Sequence, residues 1–285
     1  MIIQPNTEIL PARRSHHPEL IHLLRTAERA HHHLDWQTTE GWLQRHPCYV
    51  TLSDSTPIAL LSAPADPATV PWIRLAAVRD NESDTPTMKP LWAAARTELR
   101  RNGITSAAAL TTNIWPEQLL PQWGFAQRGH VVMLRRDREY QPNISNTAIG
   151  IRAATRADMQ AIFAVDQAAF DPLWRYSLWM IRLTLNLAMF TTVAYEGSDI
   201  VGYLMASQNN GKVLLARLVV TPDYQNRGVG RALTLDMLRH FAAGISTVVE
   251  VNTQEDNIAS IALYNSLDFE LTGEQAQVWH CELNC

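Results

Sequence analysis

The sequence is poor in the features that mark several protein classes. Only three of its 285 residues are cysteine, and Cys48, Cys281 and Cys285 form no C-x-x-C pair, so neither a zinc site nor a disulfide framework is predicted. Lysine and arginine (24) do not exceed aspartate and glutamate (28), and the net charge of −4 gives no support for a nucleic-acid binder. No apolar run approaches the ~20 residues that span a bilayer, so no membrane partner is predicted.

A secretory leader is missing as well. The opening "MIIQPNTEILPARR" has no basic start followed by a long apolar core, so we expect a cytoplasmic protein. The composition, 46% hydrophobic and 18% charged, is typical of a folded chain. A length of 285 residues suits one large domain or two smaller ones.

Two halves of the chain repeat the same order of features, which indicates an internal duplication. The run "VPWIRLAAVRD" at 70–80 parallels "VLLARLVVTPD" at 213–223. A helical stretch and a short strand follow each run, and each half then reaches an aromatic residue, Phe125 or Phe269. Alternating strands and helices favour α/β or α+β domains built on mixed sheets.

The boundary between the halves is visible in the composition. Segment 135–148 is polar, with a proline and several asparagines, and is typical of a linker. We therefore predict one domain at 1–140 and a second at 149–285. In the second domain, Thr155 and Asp158 have the spacing of a capping box and predict the start of a helix.

Glycine is also scarce, yet two of the 12 glycines, Gly228 and Gly230, stand one residue apart between an apolar run and a predicted helix. Glycine leaves the main-chain N–H groups of a helix start open, and the helix dipole favours an anion such as phosphate there. A dinucleotide motif is excluded because Leu233 stands where a third glycine is needed, and no P-loop lysine is present. A turn that uses glycine only for tight packing remains the structural alternative.

The wider pattern resembles the GCN5-related N-acetyltransferases (GNAT). The family's Q/R-x-x-G-x-G/A signature fits the run from Gln225 to Gly230, and "ARLVVTPDY" before it is similar to the family's fourth strand. Downstream, Asn257, Leu263, Tyr264 and Phe269 fit the family's helix, with Asp268 where glycine is usual.

The resemblance is strong over about 149–285 and worn over about 7–135. It implies two tandem GNAT-like domains, each a mixed, mostly antiparallel twisted sheet flanked by helices. It also implies an N-acetyltransferase that uses acetyl-CoA.

The resemblance further implies which residues hold the cofactor. In the family the fourth strand splays from the fifth, and the pantetheine arm fills the gap like an added strand. The predicted cofactor contacts are Leu218, Val219, Val220, Gln225, Asn226, Arg227, Gly228, Val229, Gly230, Arg231, Asn257 and Tyr264. The first three would pair with the arm through their backbone, and the amides from Arg227 to Arg231 would hold the pyrophosphate.

Two side chains are candidates for acid–base chemistry. A phenol pKa of ~10 lies above a thiol pKa of ~8.5, so Tyr264 can stay protonated and still give a proton to a leaving thiolate. Tyr264 can instead be a packing residue of its helix. Glu250 lies on the strand expected beside the gap and can accept the amine's proton, or it can form a salt bridge. Asn257 can cap its helix, contact the cofactor, or do both.

The acceptor side is predicted in "AAFDPLWRYSLWMIRLTLN". Phe170, Asp171, Trp174 and Tyr176 can line a pocket for an amine, and packing between the halves is the alternative. The expected acceptor is a small-molecule amine or a peptide N-terminus, and the protein is expected to be a monomer or a homodimer. A non-catalytic acyl-CoA-binding regulatory module is the alternative function.

The N-terminal half lacks the parts that the chemistry needs. Its loop "VRDNESDTPTMKP" has no glycine pair; Asp80, Glu82 and Asp84 would repel a diphosphate, and Pro86 and Pro90 are expected to reshape the turn. We therefore predict a degenerate half that keeps the fold without binding acetyl-CoA, and a second ligand site is the alternative.

Two further positions of the N-terminal half bear on this prediction. Leu120 stands in the place of Tyr264, and Asn113 stands in the place of Asn257.

The histidines of "AHHHLDW" at 30–36 would point in different directions around a predicted helix, so no metal site is expected.

Overall fold

The computed structural model of the chain forms two compact units. The residues that it describes are 7–137, 149–209, 211–242 and 248–284. One unit comprises residues 1–129 with 276–285, and the other comprises 130–275. Cys285 and residues 138–148, most of the predicted linker, lie outside the described residues.

The first unit begins with a strand and alternates strands with helices. Its elements are β1 Thr7–Pro11, α1 His17–Thr26, β2 Ala30–His32, α2 Thr39–Leu43, β3 Cys48–Ser53, β4 Thr56–Ser62, β5 Leu75–Val78, α3 Asp84–Arg101, β6 Ser106–Thr111 and α4 Ile114–Leu119. Strand β7, Ala126–Arg136, then leads into the second unit.

The second unit repeats this alternation. Its elements are β8 Gly150–Ala153, α5 Met159–Ala169, α6 Leu178–Leu187, β9 Phe190–Glu196, β10 Asp199–Asn209, β11 Lys212–Val220, α7 Val229–Ala242, β12 Val248–Gln254 and α8 Ile258–Asn265. Strand β13, Glu270–Glu282, starts in this unit and ends in the first.

Both units carry mostly antiparallel sheets. In the first unit the strand order is β1-β3-β4-β5-β2, with antiparallel neighbours. In the second the order is β7-β12-β11-β10-β9-β8, and only the β11–β12 pair is parallel among these described strands. The predicted class, two tandem domains with mixed sheets flanked by helices, is confirmed.

The bounds of the two units differ from those of the predicted domains 1–140 and 149–285 at one end of each domain. Residues 130–137 group with the second unit, and 276–285 group with the first. In the first unit, residues 277–282 of β13 pair antiparallel with β6. Trp279, Cys281 and Leu283 are accordingly buried in the core of that unit.

Local sequence signals explain several element starts. The predicted capping box at Thr155 and Asp158 is present, and Asp158 also pairs with Arg152 at 2.7 Å. The Ser177 hydroxyl accepts the N–H of Met180 at 3.0 Å and caps α6. Asp268 stands in the left-handed region with φ +63°, in the position where the first unit has Gly124 with φ +90°.

Three sequence predictions are wrong in detail. The predicted linker begins too early, because Arg135 and Arg136 belong to β7. The N-terminal helix ends at Thr26, and the histidine stretch continues as strand β2. Pro86 and Pro90 do not reshape the turn, because both lie inside α3.

Membrane crossing by a helix is not supported in the described part of the chain. None of its helices is long and apolar enough to cross a bilayer.

Candidate active site

The two glycines after β11 serve different geometric needs. Gly228 has φ +78°, in the left-handed region that other residues rarely adopt. Gly230 lies against its neighbours, since a Cβ there would stand 3.3 Å from Leu263 and 3.8 Å from Leu218. The loop needs the first glycine for its turn and the second for a close approach between α7, α8 and β11.

The main-chain amides of this loop are open. Within the described ranges, no hydrogen bond is donated by the N–H groups of residues 226–231. The first bond of α7 runs from the Ala232 N–H to the Gly228 carbonyl at 2.9 Å. A row of free N–H groups at the positive end of a helix is suited to an anion.

The side chains of the loop are held by nearby residues. The Gln225 amide donates to the Val220 carbonyl at 3.1 Å, and the Arg231 guanidinium donates to the Ser266 hydroxyl at 2.8 Å. Arg227 stacks on the Tyr224 ring at 4.9 Å. Both arginines thus lie beside the open amides and add positive charge to the loop.

Strands β11 and β12 separate halfway along their length. Their parallel pairing runs from Lys212 opposite Val248 to Leu215 opposite Val251. Beyond that pair, β11 continues to Val220 with no further partner on β12 among the described residues. The structure therefore has the splay that the family resemblance implies.

In an antiparallel pair, successive residues direct their main-chain N–H and C=O groups to opposite sides of the strand. This alternation decides which residues of β11 direct those groups into the gap. The Thr221 N–H donates to the Val201 carbonyl of β10 at 2.9 Å, so the main-chain groups of Val219, two residues earlier, also face β10. The N–H and C=O groups of Leu218 and Val220 face the side that β12 leaves. Val219 therefore does not present its backbone to the gap, although the sequence predicted it for that role together with its neighbours.

Tyr264 and Asn257 lie on the helix beside this region. Tyr264 is buried, its ring lies 5.6 Å from that of Phe269, and burial raises the pKa of its phenol. Among the described residues its hydroxyl has no hydrogen-bond partner. Asn257 caps α8, since its side chain accepts the Ser260 N–H at 3.1 Å.

Glu250 is held by two cations. One carboxylate oxygen accepts hydrogen bonds from Arg135 at 2.8 Å and from Lys212 at 3.0 Å. Partial burial opposes ionisation, but these two hydrogen bonds outweigh it and lower the pKa of Glu250. The residue lies opposite Leu214 in the paired part of β12, about 10–13 Å along the strand from Leu218.

Three of the predicted acceptor residues contact a buried arginine, Arg217. In the sequence this arginine only marked the repeat. The Arg217 guanidinium lies 4.1 Å from the Phe170 ring and 3.7 Å from the Tyr176 ring, and it donates to the Trp174 carbonyl at 2.8 Å. Asp171 stays outside this group as an exposed residue.

Asp166 completes the arginine cluster, which we define as Arg217, Asp166, Tyr203, Phe170 and Tyr176. The Asp166 carboxylate lies 2.6 Å from Arg217 and accepts the Tyr203 hydroxyl at 2.5 Å. Burial would lower the pKa of Arg217, but Tyr203 and Asp166 raise it above its usual range. An arginine within the apolar run "VLLARLVV" was the signal for this cluster in the sequence.

Comparisons with known proteins identify the family of this chain. The model of the acetyltransferase (GNAT) family matches residues 156–269. N-alpha-acetyltransferase RimI of Mycobacterium tuberculosis is 32% identical over 131 residues, which are 44% of this chain and 80% of the relative. Spermine/spermidine N(1)-acetyltransferase of Bacillus subtilis is 30% identical over 89 residues, 28% of this chain and 58% of that enzyme.

Solved structures resemble the chain along nearly its whole length. A tandem GNAT protein from the clavulanic acid biosynthesis pathway aligns with a TM-score of 0.66 over 98% of this chain and 99% of its own. Its sequence identity is 17%, so the likeness shows the fold and no more.

The arginine cluster generates a stability prediction. Arg217→Met should lower the free energy of unfolding by about 3–5 kcal/mol, because it leaves Asp166 buried and charged without its partner. Urea denaturation measures the change. The matched control is Arg182→Met, an exposed arginine on α6, for which we expect less than about 0.5 kcal/mol. Equal losses in the two variants would contradict a stabilising role for the cluster.

Proposed function

Because the chain is an N-acetyltransferase of the GNAT family, we propose that it transfers the acetyl group of acetyl-CoA to a primary amine by direct attack on the thioester. The observation that carries this proposal is one set of unpaired backbone groups. It has two parts: the N–H and C=O groups of Leu218 with the N–H of Val220 on the open edge of β11, and the amides of 226–231 in the loop that follows.

The chain's residues fit the parts of coenzyme A in order. The open amides of 226–231, with Arg227 and Arg231 beside them, hold the pyrophosphate. The N–H of Val220 pairs with the pantetheine arm as an added strand would, while its C=O accepts the Gln225 amide. The missing side chain at Gly230 lets α7 pack close to α8 and to the open edge of β11.

The reacting groups follow from the same placement. Acetyl-CoA supplies the activated acyl group as a thioester. The Leu218 N–H donates to the thioester oxygen, on which negative charge develops during attack, and a preorganised donor there lowers the barrier. Tyr264 gives a proton to the departing thiolate; an ordinary phenol is already protonated at neutral pH, and burial raises the pKa of this one further.

We propose that the acceptor enters beside the loop between α5 and α6. This loop packs on Arg217, the residue directly before Leu218, so it lies next to the reacting carbonyl. Phe170, Trp174 and Tyr176 form an apolar wall there, and the exposed Asp171 attracts an amine cation. Small amines and peptide N-termini both fit this description, in line with the two kinds of relative named above.

Glu250 fits a supporting role better than direct proton abstraction. Its carboxylate already holds Arg135 and Lys212, and its lowered pKa makes it a weak base. Its distance from Leu218 leaves room for water between it and the reacting amine. Its role as a base therefore stays a prediction that a substitution can test.

Gly228→Glu should abolish coenzyme A binding, because a carboxylate enters the anion site. Gly103→Glu is the matched control: Gly103 has φ +76° and open space around it, so both variants carry the same backbone strain. Calorimetric titration measures affinity. We expect at least a 100-fold weaker Kd for Gly228→Glu and an unchanged Kd for Gly103→Glu. Unchanged affinity in Gly228→Glu would remove the loop from the binding site.

Tyr264→Phe should lower kcat by about 100-fold or more while coenzyme A affinity stays the same, because only the proton donor is lost. Thiol release from acetyl-CoA, with a panel of polyamines and peptides with free N-termini, measures turnover. Tyr195→Phe on β9 is the control, with an expected change below threefold. An undiminished rate would exclude Tyr264 as the acid, and tight binding without turnover of any amine would favour a non-catalytic binding module.

Glu250→Gln should lower the free energy of unfolding by about 1 kcal/mol or less, because its ion pairs are partly exposed. Since the folded pKa is lowered, this stability is present above the unfolded pKa of ~4.3 and is lost as the pH falls below it. Urea denaturation at several pH values tests this, with exposed Glu274→Gln as control. A tenfold fall in kcat/KM at unchanged stability would instead identify Glu250 as the base.

A further inference from the structure

The first unit has a splay at the same place as the second. Trp72 and Ala108 form a parallel bridge, and they lie 143 residues before Leu215 and Val251, the pair at which β11 and β12 separate. The repeat also aligns Arg74 with Arg217, so Leu75 of β5 corresponds to Leu218 of β11. The edge of β5 is thus the counterpart of the open edge of β11.

In the first unit this edge is not open. Strand β2 pairs with it antiparallel, from His32 opposite Leu75 to Ala30 opposite Ala77. The pairing extends past both ends of β2: the His33 N–H donates to the Arg74 carbonyl at 2.9 Å, and the Val78 N–H donates to the Arg29 carbonyl at 3.1 Å. The chain's own backbone therefore takes the place that the second unit leaves for the pantetheine arm.

The loop after β5 is filled as well. The Arg29 guanidinium donates to the Arg79 carbonyl at 2.7 Å and to the Glu82 carbonyl at 3.0 Å, and it pairs with the Asp84 carboxylate. The Glu28 N–H donates to the Asp80 carboxylate at 3.0 Å. This loop presents oxygen acceptors to a cation, so its polarity is opposite to that of the free amides at 226–231.

Asn113 connects the filled edge to the helix that follows. Its side-chain amide donates to the Ala30 carbonyl of β2 at 3.3 Å, and it occupies the position of Asn257 in the repeat. Burial lowers the pKa of His31 in the middle of β2 to about 4, so the strand is uncharged there at neutral pH. Residues 28–33 thus provide hydrogen-bond partners for the edge of β5, for the loop after it and for the side chain of Asn113.

We propose that residues 28–33 are a built-in occupant of the cofactor slot in the first unit, so that the chain binds one coenzyme A, in the second unit only. The count of one rests on the function proposed above. The occupancy of the first slot does not, because it follows from contacts within that unit.

Hydrogen–deuterium exchange of the full chain tests the occupancy directly. The amides of His31, His33, Ala76 and Val78, which donate across the β2–β5 pair, should exchange at least ~100-fold more slowly than in an unstructured peptide, and adding coenzyme A should leave that protection unchanged. Rapid exchange of the His31 and His33 amides without ligand, or a loss of their protection on adding coenzyme A, would overturn the proposal. This readout decides the matter whether or not the second unit binds coenzyme A.

Calorimetric titration with coenzyme A tests the count. One site per chain, lost in Gly228→Glu, is the expected result. Two sites, or one remaining site in Gly228→Glu, would overturn the built-in occupant and leave the proposed function standing. No binding by the unaltered chain, together with protected His31 and His33 amides, would refute the proposed function and support the occupant.

Discussion

A strand edge that loses its neighbour halfway along must find other hydrogen-bond partners, because unpaired backbone groups away from water are costly. In both units a strand edge loses its neighbour after equivalent residue pairs, Leu215 with Val251 and Trp72 with Ala108. In one unit the edge of β11 stays open beyond that pair, and in the other β2 covers the edge of β5. The two units therefore differ in what completes one strand edge.

A buried arginine marks the splay in both units. Arg217 pairs with Asp166 and stacks on Phe170 and Tyr176, while Arg74 pairs with Asp35 at 3.1 Å and lies 4.6 Å from the Trp42 ring. The ion pair and the aromatic face occur in both units, although the loops that follow have opposite polarity. This arrangement belongs to the shared frame of the fold.

Features that depend on neighbouring residues could be read from the sequence. The glycine pair, the capping box at Thr155 and the cap at Asn257 are local, and each was predicted from spacing. The partners of Glu250 could not be predicted from the sequence, because Arg135 stands 115 residues earlier in the chain. The histidine stretch was misread as helix for a related reason: local pattern gives no sign of the edge, over 40 residues later, that draws it into β2.

The path of β13 bears on how the protein is made. Trp279, Cys281 and Leu283 fill the core of the first unit, and 277–282 pair with β6. During synthesis, the ribosome must finish all of the second unit before these residues emerge. Until then the edge of β6 in the N-terminal part of the chain is apolar and uncovered, and such an edge is a site for aggregation. Order of folding need not follow order of translation here, and an isolated fragment that stops at the linker would keep that edge exposed.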